Sequence, residues 1–206
     1  MLYIPGSFEE SNKGELHKFI RQHNFSTMIS HSGEVHISHL PLLLLPDRGP
    51  FGTLVGHVAR ANRHWQDFDG QRNAVCVFHG PHSYISPTWY KDRPAVPTWN
   101  YAVVHATGTP RLLESKEELA GSLDQLVEHV EPSLLLPDSD GYLPQSLKEA
   151  MLDQIVGFQI EIKVLRGKYK LGQNRSLEDQ TGVMKALARE GGSPMTLLEF
   201  MKDRRS

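Results

Sequence analysis

The sequence predicts an α+β chain that is mainly β: an antiparallel β-barrel with flanking helices. Three observations predict it. The first half of the 206 residues breaks into short β-type runs bounded by turn residues. Few helical patterns intervene between those runs, which excludes a doubly wound parallel sheet. Late in the chain Val156, Phe158, Ile160, Ile162 and Val164 alternate with Gln159, Glu161 and Lys163, the period of a half-exposed strand.

Asn12 with Glu15 three positions later forms a capping box, and Leu16, Phe19 and Ile20 give the following helix an apolar stripe that ends near Asn24. Phe25 to Ser30 reads as a strand, Ser32-Gly33 as a turn and Val35 to Leu45 as a second strand, together a hairpin. Pro41 cannot donate to a ladder, so the second strand either lies at a sheet edge or turns its open side toward a ligand. After a turn over residues 46–50, Thr53 to Val58 is a third strand and Ala74 to Phe78 a fourth. Residues 97–113 carry a long fifth strand in which Gly108 marks a bulge or a close approach. Ser115 and Glu118 cap a helix over 116–130 whose stripe is Leu119, Leu123, Leu126 and Val127. Pro132, Pro137 and Pro144 make residues 131–143 a surface loop ahead of a short helix over 145–153. The strand from Val156 closes the barrel. Ser176 and Asp179 cap a last long helix to about Arg189, Gly191-Gly192 stops it, and a helical tail follows from Met195.

A chain of this length that is 39% hydrophobic can bury one sizeable core, and one domain with appended helices is the simplest reading. A net charge of −2 supplies no positive field of the kind that makes nucleic-acid binding unavoidable. Cys76 sits in an apolar run as a small buried hydrophobe, which points to a reducing, cytoplasmic setting. The N-terminus shows no basic region followed by an apolar stretch. No run reaches the roughly 18 apolar residues that span a bilayer, so no membrane partner is expected.

The block from Phe78 to Tyr101 places Tyr84, Trp89, Tyr90, Trp99 and Tyr101 beside Ser83, Ser86, Thr88 and Asn100, with four prolines stiffening the backbone. Ring faces with polar edges suit a flat aromatic ligand. A packed barrel corner would account for the same residues. Residues 56–63 run from a strand into a turn bearing His57, Arg60, Asn62 and Arg63, either a phosphate cradle or a solvated arginine pair. Residues 167–175 alternate Lys168 and Lys170 with Tyr169 and Leu171 before Gln173, Asn174 and Arg175. That composition fits a ligand-facing strand end, a nucleic-acid patch or an exposed turn. His36 and His39 stand three apart, as do His79 and His82; on a strand such pairs point to opposite faces, so no structural metal site is expected. One histidine as an axial haem ligand is compatible with an open aromatic cleft. No G-x-S-x-G, G-x-G-x-x-G or Walker A sequence is present.

Taken together, MLYIPGSFEE, ISHLPLLL, GHVARAN, FHGPHSYISPTWY, VPTWNYAVVHATG and GKYKLGQNR resemble the PaiB-type family, described as FMN-binding negative transcriptional regulators, from residue 1 to about residue 190. The resemblance implies an FMN-binding split barrel related to pyridoxamine-phosphate oxidases, with one domain over 1–190 and a helical tail over 191–206. It implies a homodimer with the FMN sites at its interface. Ser38, His39, Leu40 and Pro41 match the segment whose backbone faces the isoalloxazine ring. His57, Val58, Arg60 and Asn62 match the phosphate-binding position. Trp99, Asn100, Tyr101, Lys168, Gln173, Asn174 and Arg175 match segments that come across the dimer interface. Gly172 departs from a serine common in the motif. No catalytic residue is expected, because flavin chemistry belongs to the cofactor. The implied function is that of a transcriptional regulator; DNA is a possible partner but is unsupported by the charge, and no helix-turn-helix or basic recognition helix is visible. The alternatives are a flavin- or haem-dependent oxidoreductase using the same cleft, and a small-molecule sensor without turnover.

Overall fold

The computed structural model describes residues 2–135 and 145–204. Eight strands form one sheet: β1 (Glu9–Glu10), β2 (Phe25–His31), β3 (Val35–Pro41), β4 (Leu43–Leu45), β5 (Thr53–Ala59), β6 (Ala74–Ile85), β7 (Thr98–Leu112) and β8 (Ile155–Lys170). The order is β3-β2-β6-β7-β8-β5-β4, with β1 added to β8 through Glu9↔Lys168 and Glu10↔Gly167. Strands β3 and β4 occupy opposite ends of that order, yet only Leu42 separates them in sequence. One residue spans less than about 8 Å, so the sheet must curl until its two ends meet. No ladder joins those ends, and the result is a barrel that is split rather than closed.

The expected single strand from Val35 to Leu45 is therefore two. Pro41 brings no N–H to a ladder, the Leu42 N–H donates to the Asn24 carbonyl at 2.9 Å, and the chain then changes partner. Before the break β3 pairs with β2, from His31↔Val35 to Phe25↔Pro41; after it β4 pairs with β5, from Leu43↔Val55 to Leu45↔Thr53. Pro41 lies in an edge strand, one of the two situations its sequence allows. Two other strands run further than expected. Strand β6 continues past Phe78 to Ile85, and β8 continues past Val164 to Lys170, where the two-residue β1 gives it a neighbour. Gly108 is a close-approach point: a Cβ there would stand 2.1 Å from the Glu161 carbonyl oxygen.

The helices are α1 (Lys13–Gln22), α2 (Lys116–Val130), α3 (Gln145–Leu152), α4 (Leu177–Glu190) and α5 (Ser193–Asp203). Their starts follow the capping residues. Asn12 Oδ1 accepts the Glu15 N–H at 3.2 Å, while the reciprocal arm comes from Glu10, whose Oε1 accepts the Asn12 N–H at 2.8 Å. Ser115 Oγ caps α2 through the Glu118 N–H, and Ser176 Oγ caps α4 through the Asp179 N–H. Of the loop expected over 131–143, Glu131 caps α2, residues 132–135 form a 3-10 turn, and residues 136–143 lie outside the described residues.

The chain divides into two units. One comprises residues 20–77 and 106–165; its core includes Met28, Leu42, Leu54, Cys76, Phe158 and Ile160, with the Phe68 and Phe158 rings 4.7 Å apart. The other comprises the segment up to Phe19, residues 78–105 and the chain from Arg166 onward. Its core includes Phe19, Ile85, Val104, Tyr169, Leu187 and Leu198, with the Phe19, Tyr169 and Phe200 ring centroids 5.2–5.9 Å apart in tilted and edge-on contacts.

Candidate functional site

His39, Leu40, Pro41, His57, Val58, Arg60 and Asn62 all lie in the unit that holds β2 to β5. Strand alternation sorts them. Ser38 and Leu40 point inward and are buried, while His39 points outward, its Nδ1 3.1 Å from Thr27 Oγ1 on β2. Val58 is buried on β5, and burial lowers the pKa of neighbouring His57. Segments 38–41 and 56–62 are brought together: a Cβ on Gly56 would stand 3.4 Å from the Pro41 carbonyl oxygen, and Asn62 Nδ2 donates to Ser38 Oγ at 3.0 Å. Arg60 is exposed, with its guanidinium oriented by the start of β8; Nε donates to the Asp153 carbonyl at 2.8 Å and Nη2 to that of Ile155 at 3.0 Å.

Behind Ser38 lies a buried polar chain that the sequence reading did not find. His64, 2% exposed, stands in the 3-10 turn Arg63–Asp67; its Nδ1 is 2.8 Å from Ser38 Oγ and its Nε2 is 2.9 Å from Ser30 Oγ. Ser30 and Ser32 both donate to the Asp67 carboxylate, and His36 Nδ1 lies 2.7 Å from Asp67 Oδ2. The donors can be assigned from these contacts. A carboxylate only accepts, so Ser30 gives its one proton to Asp67 and accepts from His64, which must carry its proton on Nε2. Neutral His64 then accepts from Ser38 at Nδ1, and Ser38 accepts from Asn62. Burial would raise the Asp67 pKa, but hydrogen bonds from Ser30, Ser32 and His36 outweigh it and hold the carboxyl at about 2. His36 is raised above the usual imidazole value, chiefly by its hydrogen bond to Asp67, while burial lowers His64. The available signal was the period-2 run Ser26, Met28, Ser30 and its register partners His36, Ser38 and Leu40, polar groups on an inward face beside His64 and Asp67.

Trp99, Asn100, Tyr101, Lys168, Gln173, Asn174 and Arg175 lie in the other unit. Lys168 is 8% exposed, with Nζ 5.3 Å from the Tyr3 ring centroid and 5.4 Å from that of Tyr101. Lys170 Nζ donates to Thr98 Oγ1 and the Trp99 carbonyl; burial lowers its pKa, and the charges of Lys168 and Arg175 lower it further. Among the described residues no carboxylate lies at ion-pair distance from Lys168 or Lys170. Arg175 stacks 4.5 Å over the Tyr90 ring, its Nη1 4.0 Å from Asp179 Oδ2. Trp99 is half exposed beside His82 and Tyr84, at ring separations of 5.9 and 6.3 Å. Asn100 is buried and Asn174 exposed. Gln173 braces its own turn, with Oε1 accepting the Leu171 N–H and Nε2 donating to the Tyr169 carbonyl. Gly172 has φ +84°, a left-handed conformation that glycine adopts without strain and a serine would not. Tyr90, at 5% exposure, is core, and the Trp89 backbone packs against Gly182 of α4.

The family model described as "Putative FMN-binding domain" matches residues 2–164. Protease synthase and sporulation protein PAI 2 of Bacillus subtilis (strain 168) is 35% identical over 205 residues, covering 98% of each chain. Among solved structures, the flavocytochrome Anf3 from Azotobacter vinelandii superposes with a TM-score of 0.63 at 12% identity, covering 84% of this chain and 75% of its own. The FAD and haem binding protein from Mycobacterium smegmatis does so with a TM-score of 0.60 at 13% identity, covering 89% and 80%. At such identities these two structures show a shared fold alone, the split barrel that the curled sheet also shows. The family match and the near full-length relative carry the assignment: the chain belongs to the PaiB-type family of FMN-binding split-barrel proteins.

Proposed function

We propose that this protein is a cytoplasmic, homodimeric regulator that carries FMN; its near full-length relative is named for protease synthase and sporulation. The observation that carries this reading is the group Lys168, Lys170 and Arg175: a buried ammonium between two tyrosine rings, a second one whose pKa burial and then its cationic neighbours depress, and a guanidinium stacked on a third ring. Cations held together without an equal number of carboxylates fit an anion, and the half-exposed Trp99 ring beside them fits a flat one. His57, Arg60 and Asn62 would hold the phosphate, and the backbone of His39, Leu40 and Pro41 would face the ring system. When bound, the flavin supplies the capacity to accept and release electrons; the chain's residues bind and orient it.

The homodimer is supported by the outer face of the β2–β3 hairpin. Phe25 on β2 is 64% exposed there, and Val35 and Ile37 on the edge strand β3 are 60% and 57% exposed. Trp99, Asn100, Tyr101, Lys168, Gln173, Asn174 and Arg175 of one protomer would then complete the site of the other. The test is the absorption spectrum of the protein purified and then incubated with FMN. Flavin bands that persist through gel filtration are expected; a Soret band would assign the cleft to haem, and no chromophore after reconstitution would overturn the reading. Catalytic turnover with NADH or NADPH would move the protein to the oxidoreductases. DNA retention that falls steeply with salt would make nucleic acid a direct partner.

A further inference from the structure

We propose that His64 is a positioning residue for the cofactor: the buried chain Asn62–Ser38–His64–Ser30–Asp67 clamps β3 to the turn after β5 and holds the two flavin-contacting segments in register. The proposal rests on the reading that residues 38–41 and 57–62 hold FMN. Its geometry is direct. Ser38 immediately precedes His39, Leu40 and Pro41, and it sits between Asn62 Nδ2 at 3.0 Å and His64 Nδ1 at 2.8 Å. Asn62 is tied at both ends of its amide, since Oδ1 accepts the His64 N–H at 3.1 Å. Strand β3 is an edge, laddered to β2 on one side only, so a side-chain tie from its inward face adds a hydrogen-bonded connection to the β5 turn.

The clamp works with one protonation state. Each hydroxyl in it donates once, in one direction, ending on the Asp67 carboxylate. If His64 gains a proton on Nδ1, the Ser38 O–H that pointed to it loses its acceptor, and a buried hydroxyl donor is left unsatisfied between two N–H donors, which strains the clamp. The groups that face His64 are Asp67 from its own turn, Ser30 from β2, and Ser38 and His36 from β3, with Glu34 beyond His36; the Phe68 ring closes the remaining side at 5.3 Å. By linkage, bound FMN holds His64 neutral, and acid that protonates His64 releases FMN.

The experiment compares FMN affinity, read by flavin fluorescence from about pH 8 to about pH 5, for the wild type, Ser38→Ala and Ser38→Thr, the range in which imidazoles titrate. Ser38→Ala is expected to weaken FMN about tenfold at the upper pH. Its remaining pH dependence should be that of the FMN phosphate alone, smaller than the wild type's. Ser38→Thr keeps the hydroxyl and restores both. In parallel, imidazole nitrogen NMR of the FMN-free protein should show His64 protonated on Nε2 at the upper pH. Equal affinities for wild type and Ser38→Ala across the range, or a proton on Nδ1, would overturn the proposal. If the wild type binds no FMN at any pH, the functional reading fails and the cofactor role falls with it, while the tautomer still shows whether the clamp exists.

Discussion

With its carboxylate almost fully buried and accepting from Ser30, Ser32 and His36, Asp67 stays ionised far into the acid range, its pKa held at about 2 against 3.8 for a free side chain. The folded pKa lies below the unfolded one, so the stability it contributes is present above about pH 4 and lost as pH falls toward 2, a difference of about 2 kcal/mol. Asp67→Asn keeps the shape but turns one acceptor into a donor facing donors; it should cost about 2–4 kcal/mol in urea unfolding. The variant should also lose the wild type's stability step between about pH 4 and pH 2, and an unchanged midpoint would show that the network holds nothing. His36 has the opposite sign: its raised pKa contributes stability that is present below the unfolded imidazole value and lost as pH rises through the folded one. Cys76, fully buried with its thiol pushed up to about 12, should resist thiol reagents in the native protein and react only on unfolding. Reaction at the rate of a free thiol would contradict that burial.

At the scale of elements, what the sequence made legible was whatever local chemistry decides. Asn12, Ser115 and Ser176 mark three helix starts by hydrogen bonds to residues three positions on, and the alternation from Val156 to Val164 needs no distant partner to be read. What stayed hidden depends on partners remote in sequence. Strand β8 runs on to Lys170 beside Glu9 and Glu10, and the run from Val35 to Leu45 divides because its halves pair with β2 and β5. Strand β6 passes through Gly80 and Pro81, residues that argue against a strand when read alone. The segments proposed to hold the cofactor were singled out by motif resemblance, whereas the His64 chain was not, because its members are scattered over β2, β3 and a 3-10 turn. Gly108→Ala would force a Cβ onto a carbonyl oxygen of β8 and should cost about 3 kcal/mol in thermal or urea unfolding, the upper end for overpacking. On the exposed hairpin face, Ile37→Lys should convert a dimer to a monomer in light scattering without lowering monomer stability, since that side chain is mostly solvated in the single chain. A dimer that survives the lysine would move the interface elsewhere.

For the molecule as a whole, the net charge of −2 gives no general pull on anions, so affinity for FMN must come from local groups. That separates the ring from the phosphate experimentally. A ligand that binds only the folded state stabilises it by mass action, about 2.7 kcal/mol at a hundredfold excess over Kd, and a chain of this size gains roughly 2–4 °C in Tm per kcal/mol. FMN at that excess should raise Tm by about 5–10 °C. Riboflavin has the same ring and no phosphate. Losing charge-assisted hydrogen bonds of about 1.5–3 kcal/mol, it should shift Tm by less than about half as much at equal concentration. Arg60→Ala should shrink the gap between the two ligands. It also removes the hydrogen bonds to the Asp153 and Ile155 carbonyls, so the ligand-free Tm falls as well, and only the difference between FMN and riboflavin reports on the phosphate. Equal shifts for the two ligands in the wild type would show that no group of the protein gains from the phosphate, and would take Arg60, His57 and Asn62 out of that role.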